Sequence, residues 1–276
     1  MRRNYLSLPL MAAFMLQTMA CGKDTEEEAQ GPALPPADSM ELQAFTAGDQ
    51  STALTIPTGT KVNAGAAALS VGLVTLAINI VLIIPKAIFA GVLTEKPKYN
   101  GEEWIWKHTY PLLAYDAELH GSVKDKLELS MHMTGLKDQN DYIQDYVWYT
   151  GSHGLTSGTW QFYDPGTESE PGPTVPVLTI DWSRVSATEK KLIFTNTRPD
   201  VPEKGDTITY ELDGNIASME IVDKIDNQDA TTTFTVVWSV ADGSGKIEKN
   251  DETLCWDTLE NDQVDIICPD DDWPVP

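Results

Sequence analysis

From Trp104 onward, short runs of alternating apolar and polar residues follow one another along the chain. Strict alternation places apolar side chains on one face of a β-strand and polar side chains on the other. Because turn signals rather than helical patterns separate the runs, they predict an antiparallel up-and-down meander with one apolar face. The clearest runs lie at residues 115–120, 127–133, 160–162, 178–182, 192–194, 208–212, 219–221 and 234–238.

The number of runs also limits the shape of the sheet. About ten to twelve strands are too many for a flat open sheet, so we expect the meander to curl into a barrel or half-barrel. The sequence therefore predicts a mainly β fold, with a single folded domain over residues 51–276 and strands at about 104–268.

A long apolar stretch precedes the strands, at about residues 62–93. It contains no charged residue from 62 to 84, and Pro85 and Lys86 then interrupt the apolar run. A helix that is apolar on all sides is either buried in a protein core or long enough to cross a membrane. We expect one long helix packed on or in the curled sheet, and a membrane span is the alternative.

The N-terminus has the pattern of a secretory signal over residues 1–20. Arg2 and Arg3 form a positive start, and an uncharged apolar run extends to Ala20. The residues up to Cys21 resemble a bacterial lipobox, although Thr18 stands where leucine is more common. We expect cleavage before Cys21 and lipidation of that cysteine, which anchors the chain to a membrane. The alternative is an ordinary signal peptide followed by a chance cysteine.

The segment after Cys21 is acidic and rich in proline. Such composition cannot bury enough apolar surface to offset chain entropy, so residues 21–50 are predicted to form a flexible tether. Gly22 stands where an aspartate would resemble an inner-membrane retention signal. We therefore expect the outer membrane of the cell envelope, with either its periplasmic or its surface face as the location.

The charge of the chain excludes one class of partner. Removal of residues 1–20 deletes two arginines and no acidic residue, which leaves 17 basic and 42 acidic residues. A surface this negative repels phosphate backbones, so we expect no nucleic-acid partner. It also disfavours docking on anionic lipid headgroups, which attract basic segments.

Cys255 and Cys268 remain once Cys21 is assigned to lipid. Neither stands in a CxxC pair or beside a histidine, which argues against a metal or nucleophilic role. An even pair in an exported protein predicts a disulfide, worth about 3 kcal/mol for a short loop on the chain-entropy model.

The order of lipid anchor, acidic tether, apolar helix and long meander resembles an uncharacterised group of bacterial lipoproteins. The resemblance covers roughly residues 100–268 and implies no activity. More loosely, the architecture is similar to half-barrel lipoprotein carriers, whose sheet and helix enclose an acyl-binding cavity. The residues that carry the first resemblance are segments 147–151, 158–165 and 178–182, together with Cys255, Trp256, Asp257 and Cys268.

The sequence contains no HExxH motif, Walker loop or dinucleotide-binding glycine fingerprint. Residues 154–158 approach the GxSxG turn of serine hydrolases, but Ser157 stands one position late. His108, His120 and His132 are spaced by twelve residues, but the expected turns place them in different registers. We interpret them as solvated strand residues, and we expect no catalytic residue, metal or cofactor.

The aromatic residues of the strands are the remaining candidates for a site. Trp160, Trp182 and Trp238 fall on the predicted apolar face, where core packing is the usual role of large rings. The alternative is a lining for an apolar or sugar-like ligand. Trp148 and Tyr149 are candidates for contact with a protein partner.

Three functions fit these features. The favoured hypothesis is a non-enzymatic cell-envelope lipoprotein that binds or scaffolds another envelope protein through its surface or a strand edge. The second is a carrier that holds an acyl chain or other apolar small molecule between sheet and helix. The third is a hydrolase whose site lies in loops without a recognisable motif. Tight packing of the helix favours the first, and a cavity beneath it favours the second.

Overall fold

The alternating runs form one antiparallel sheet in the computed structural model, which describes residues 31–42, 62–110, 115–136, 142–163, 175–199, 201–224, 231–259, 262–269 and 273–274. Within these residues the sheet has 14 strands, and each pairs with its neighbours in sequence. The predicted up-and-down meander is confirmed. The strands are β1 (Lys98–Tyr99), β2 (Trp104–Tyr110), β3 (Tyr115–Val123), β4 (Leu127–Leu136), β5 (Tyr142–His153), β6 (Ser157–Phe162), β7 (Leu178–Ser186), β8 (Glu189–Asn196), β9 (Thr207–Asp213), β10 (Ile216–Lys224), β11 (Thr231–Ser239), β12 (Gly245–Lys249), β13 (Glu252–Leu259) and β14 (Asp262–Ile266).

The sheet is open, because its strand order begins at β1 and ends at β14 with no pairing between those two edges among the described residues. The half-barrel form of the prediction is therefore the correct one. The strand count exceeds the expected ten to twelve because β1, β12 and β14 have only two, five and five residues. Runs this short contain too few alternations to stand out in a sequence.

The register brings the inward side chains of neighbouring strands into continuous buried rows. Leu119 of β3 faces Met131 of β4, Met131 faces Tyr149 of β5, and Tyr149 faces Phe162 of β6. All four side chains are buried. Each such side chain contributes roughly 1.5–3 kcal/mol on burial, so the inner face of the sheet supplies most of the core.

The apolar stretch forms a single helix, α1 (Val62–Val92), that packs against the inner face of the sheet. It contacts β2 and β3 near one edge of the sheet and β12, β13 and β14 near the other. The helix continues through Pro85, whose side chain is buried. By length and composition α1 is a candidate membrane span, but in this fold one of its faces belongs to the domain core.

The C-terminal end of α1 is fixed to β2 through Tyr110. The Tyr110 hydroxyl donates to the carbonyl oxygen of Ile88 at 2.8 Å. Gly91 permits this approach, because a Cβ at that position would collide with the Tyr110 hydroxyl. The end of the helix and the start of the sheet are therefore held in direct contact.

Part of the predicted tether is folded. Residues Ala37–Met40 form a 3-10 turn, and Met40 and Leu42 are buried in the core. Trp160 donates its indole N–H to the Ser39 hydroxyl at 3.1 Å. Residues 37–42 therefore belong to the folded part although their surroundings are acidic, because their apolar side chains dock on the sheet. The predicted boundary at residue 50 lies outside the described residues. The predicted signal peptide and Cys21 lie outside the described residues.

A disulfide joins Cys255 of β13 to Cys268, which follows β14, with 5.2 Å between their Cα atoms. This is the pairing that the sequence predicts. It closes the last hairpin of the sheet, where the N-terminal end of α1 also docks.

Candidate functional site

The outward face of α1 carries an unbroken line of exposed apolar residues. Their spacing alternates between three and four positions, so they lie on one side of the helix like the a and d positions of a heptad repeat. We call this line the α1 seam. It consists of Val62, Ala66, Leu69, Leu73, Leu76, Ile80, Ile83, Ala87 and Ala90.

The large side chains of the seam are exposed to an unusual degree. Leu73 is 53% exposed, Ile80 63% and Ile83 64%. None of the seam residues has a side-chain polar atom, and the only charged residue of α1 is Lys86. Lys86 lies off the seam, where its ammonium group contacts Asn79 Oδ1 at 3.3 Å and Glu41 Oε1 at 3.5 Å. An exposed apolar line of this length is typical of a binding surface.

The face of α1 opposite to the seam is buried, and this burial holds the helix so that the seam points outward. Its apolar residues recur at helical spacing and are all buried against the sheet, which fixes the rotation of the helix about its axis. These buried residues are Ala64, Ala67, Val71, Ile78, Leu82, Ile88, Phe89 and Val92.

Aromatic rings fill the space beneath the C-terminal half of α1. Phe89 of α1 meets Trp160 of β6 edge to face, with 5.4 Å between ring centroids. Tyr149 meets the same indole edge to face at 5.6 Å. Both Trp160 and Tyr149 are fully buried. Burial raises the pKa of the Tyr149 hydroxyl well above its usual value, with the nearby Tyr110 as a smaller cause.

Of the five aromatic residues predicted to contact a ligand or partner, four lie in the core and Trp148 lies at its edge. Trp182 and Trp238 are almost completely buried, and Trp148 is half-buried with its ring packed against the core cluster. The burial of Tyr149 does not fit contact with a protein partner at the surface. Core packing, the alternative interpretation of these rings, agrees with their positions.

A space of about 10 Å³ lies beside Trp182 and Leu192, next to the 3-10 turn. This volume is close to the minimum that one water molecule needs, and an acyl chain needs far more. The buried face of α1 packs directly on the sheet, with Phe89 against Trp160, which favours binding at the outer surface of the helix over binding beneath it.

The seam is absent from the sequence predictions, although its signal is present in the chain. A stretch that is apolar on all sides contains no residue that marks which side faces the sheet. The spacing of Leu69, Leu73, Leu76, Ile80 and Ile83 is visible in the sequence. The larger residues of the stretch lie at these positions as much as on the buried face, which includes two alanines.

No family model, curated protein or solved structure matches this chain. The function is therefore inferred from the geometry of the molecule itself.

Proposed function

We propose that this chain is a lipid-anchored scaffold protein of the bacterial cell envelope, and that it joins a second copy of itself through the α1 seam. The exposure of the seam carries the proposal. Lipidation of Cys21, the outer-membrane location and the relationship to the uncharacterised lipoprotein group are parts of the same proposal. They rest on the sequence pattern of residues 1–22 and on the strand segments that show the resemblance.

The spacing of the seam favours a helix as its partner. A strip of apolar residues at alternating three- and four-residue intervals is what two helices bury when they pack side by side. Each half-exposed aliphatic side chain contributes on the order of 1 kcal/mol when it is buried. Burial of the large seam residues in both copies therefore offsets the translational and rotational entropy that is lost on association.

A second copy of the chain is the occupant to which we commit. It presents the same uncharged seam, and most soluble oligomers are formed from identical copies with two-fold symmetry. The net charge of −23 works against docking on an anionic bilayer, whose headgroups form a continuous negative plane. Between two copies, salt screens charges that lie beyond about 8–10 Å, and the seam itself carries none.

Disulfide trapping in the bacterial envelope tests the proposed interface. Leu76 is the central residue of the seam, so two-fold packing brings its two copies together whether the helices run parallel or antiparallel. We expect Leu76→Cys in the full chain to yield a dimer on a non-reducing gel after mild oxidation. Leu155→Cys is the matched control, because Leu155 is 90% exposed but lies in the turn between β5 and β6.

The trapping experiment gives a different result if the α1 seam is covered by something other than a second copy. Adding Leu73→Glu to the Leu76→Cys chain is expected to abolish the dimer, because it places a charge in the seam without touching the core. A Leu76→Cys monomer whose introduced thiol is protected from a water-soluble maleimide would identify the bilayer as the occupant. A monomer that reacts freely with the maleimide, or equal trapping of the Leu155→Cys control, would also overturn the proposal.

Lipidation is tested separately with the full chain in a bacterial host. Metabolic labelling with palmitate is expected to mark the wild-type chain and to leave Cys21→Ser unlabelled. Labelling that persists in Cys21→Ser, or is absent from the wild type, would contradict the anchor without bearing on the seam.

A further inference from the structure

A serine, a histidine and an aspartate form a hydrogen-bonded chain on the polar face of the sheet, opposite to α1. Ser130 Oγ lies 2.9 Å from His132 Nε2, and His132 Nδ1 lies 2.6 Å from Asp145 Oδ1. One ring nitrogen thus meets a hydroxyl while the other is oriented by a carboxylate. This is the arrangement in which an imidazole removes the proton of a nucleophilic serine.

Strand geometry and two irregularities create this arrangement. Ser130 and His132 are two positions apart on β4, so both side chains project from the same face. Asp145 lies on β5 where the pairing with β4 shifts register between Met133 and Gly135. Its φ is +51°, a left-handed conformation that is uncommon outside glycine, and its backbone N–H donates to Thr134 Oγ1 at 3.0 Å. Such conformations concentrate at functional sites.

A second histidine packs against the first. The rings of His120 and His132 are tilted at 35° to one another, with 4.2 Å between their centroids. His120 Nδ1 lies 2.8 Å from Glu103 Oε1, and its Nε2 lies 3.3 Å from Glu118 Oε2. Both rings are about one-fifth exposed, with side-chain values of 19% and 21%. The sequence interpretation placed these histidines in different registers as separate, solvated residues, and it misses their contact. In the structure β3 and β4 pair so that His132 lies opposite Glu118 and diagonal to His120.

Ser130 faces a pocket of about 380 Å³ that opens to solvent. This volume lies within the usual range for small-molecule sites. His120 and Thr150 are the residues directly across from Ser130 on β3 and β5. Hydroxyl, amide and carboxylate side chains line most of the wall: Glu103, Ser122, Glu128, Ser152, Thr159 and Gln161.

We propose that Ser130, His132 and Asp145 form a hydrolytic triad that cleaves short-chain acyl esters of neutral polyhydroxylated alcohols. Ser130 Oγ bonds to the ester carbonyl carbon while its proton passes to His132 Nε2. The carbon–oxygen bond to the alcohol then breaks, and the leaving oxygen takes that proton. Water attacks the acyl-serine through the same imidazole, which releases the carboxylic acid and restores Ser130.

The pocket wall selects the substrate class. Hydroxyl and amide side chains match a polyhydroxylated alcohol, and Leu129 is the one large apolar side chain among the described residues that line the pocket, which favours a short acyl chain. The carboxylates of Glu103 and Glu128 repel anionic substrates. Thr150 lines the pocket directly opposite Ser130 on β5, and its hydroxyl is the donor for the developing negative charge on the carbonyl oxygen.

Asp145 acts through His132 and is a positioning residue. Its side chain is 74% exposed, so water screens its charge and it orients the ring less firmly than a buried carboxylate does. Asp145→Asn is therefore expected to lower kcat by roughly tenfold and to leave KM unchanged.

Two probes test the triad on the full chain purified from the envelope in a non-ionic detergent. A fluorophosphonate forms a bond from phosphorus to a reactive serine oxygen and expels fluoride, and peptide mass spectrometry locates the adduct. We expect the adduct on Ser130, together with hydrolysis of 4-nitrophenyl acetate. His132→Gln is expected to lower both by at least about 100-fold, as loss of a general base does.

Ser218→Ala is the matched control, because Ser218 is a half-buried strand serine on β10 and is not among the residues that line the pocket. It is expected to retain wild-type labelling and hydrolysis, whereas Ser130→Ala loses both. An unlabelled Ser130, labelling of Ser130 that His132→Gln leaves unchanged, or equal hydrolysis by Ser130→Ala and Ser218→Ala would each overturn the proposal. Trapping at Leu76 is unaffected by any of these variants, so the scaffold proposal fails or stands separately.

Discussion

The backbone N–H of Asn63 donates to the Asp265 carboxylate at 3.0 Å, across 202 positions of sequence. The N–H of Val62 donates to the same carboxylate at 3.1 Å. Asp265 on β14 thus caps the first turn of α1, where backbone donors have no partner within the helix and the helix dipole favours negative charge. Since Tyr110 of β2 holds the other end, α1 spans the gap between the two ends of an open sheet.

Replacing Asp265 weakens the attachment of α1 to β14. Asp265→Ala leaves two backbone donors without their partner, and we expect the free energy of unfolding to fall by about 1 kcal/mol, as for other N-cap losses. For a folded part of this size that corresponds to a decrease in Tm of about 2–4 °C, measured by circular dichroism.

Glu220→Gln is the control for the Asp265 prediction, because Glu220 is an exposed carboxylate on β10, away from α1. We expect its stability to change by no more than the scatter of surface substitutions, about 0.5 kcal/mol. An equal loss in the two variants would show that charge alone, and not capping, stabilises the fold.

The disulfide stabilises the same region as the cap. Asn63 Nδ2 donates to the carbonyl oxygen of Cys255 at 3.0 Å, so the bridged strand also receives the helix. We expect the double change Cys255→Ala and Cys268→Ala to lower the free energy of unfolding by about 3 kcal/mol, measured by urea denaturation. If dithiothreitol lowers the stability of this double variant as much as that of the wild type, the bridge is not the cause.

Alternation predicted the strands well because it reports directly which face of a strand is buried. Leu127, Leu129, Met131 and Met133 all lie in the core, as their spacing indicates. The closure of the sheet by α1 could not be predicted, because no local pattern relates a helix N-terminus to Asp265 near the other end of the chain. Packing between distant segments decides that contact.

The candidate sites were less predictable than the fold. The two-residue spacing of Ser130 and His132 is visible in the sequence, but Asp145 joins them only because the β4–β5 pairing shifts register. A bulge depends on how both strands pack and twist, so its position cannot be predicted from the sequence of either strand alone. The aromatic residues were singled out from the sequence, but only the structure shows that they pack beneath α1.

Two glycines provide a test of how closely the strands pack. A Cβ on Gly151 would collide with the ring of His153 and lie 2.7 Å from Trp160 Cε3. Both neighbours are buried and cannot yield easily, so we expect Gly151→Ala to cost about 1–3 kcal/mol through overpacking. A Cβ on Gly154, in the adjoining turn, would meet only Ser157 O at 3.5 Å. Gly154→Ala is therefore expected to be neutral, and similar urea midpoints for the two variants would contradict the packing.

His153 makes the stability of the fold depend on pH. The Trp182 indole N–H donates to His153 Nδ1 at 3.2 Å, so that nitrogen carries a lone pair and the ring is neutral. Burial lowers the pKa of His153 to about 3, with the charge of Lys126 as a smaller cause. A proton on Nδ1 would abolish the hydrogen bond from Trp182. This hydrogen bond therefore also favours neutral His153 and a low pKa.

The lowered pKa of His153 sets the sign of the effect. The unfolded chain takes up this proton near pH 6.5 and the folded chain does not until about pH 3. The stability from neutral His153 is therefore complete above pH 6.5 and is lost as the pH falls towards 3, by as much as about 5 kcal/mol at 1.36 kcal/mol per pKa unit. Urea denaturation between pH 7.5 and 4 measures this loss of stability.

His153→Gln keeps an acceptor for Trp182 without titrating, so we expect the stability difference between wild type and variant to shrink with falling pH. Parallel curves for the two proteins would show that His153 does not control this pH dependence.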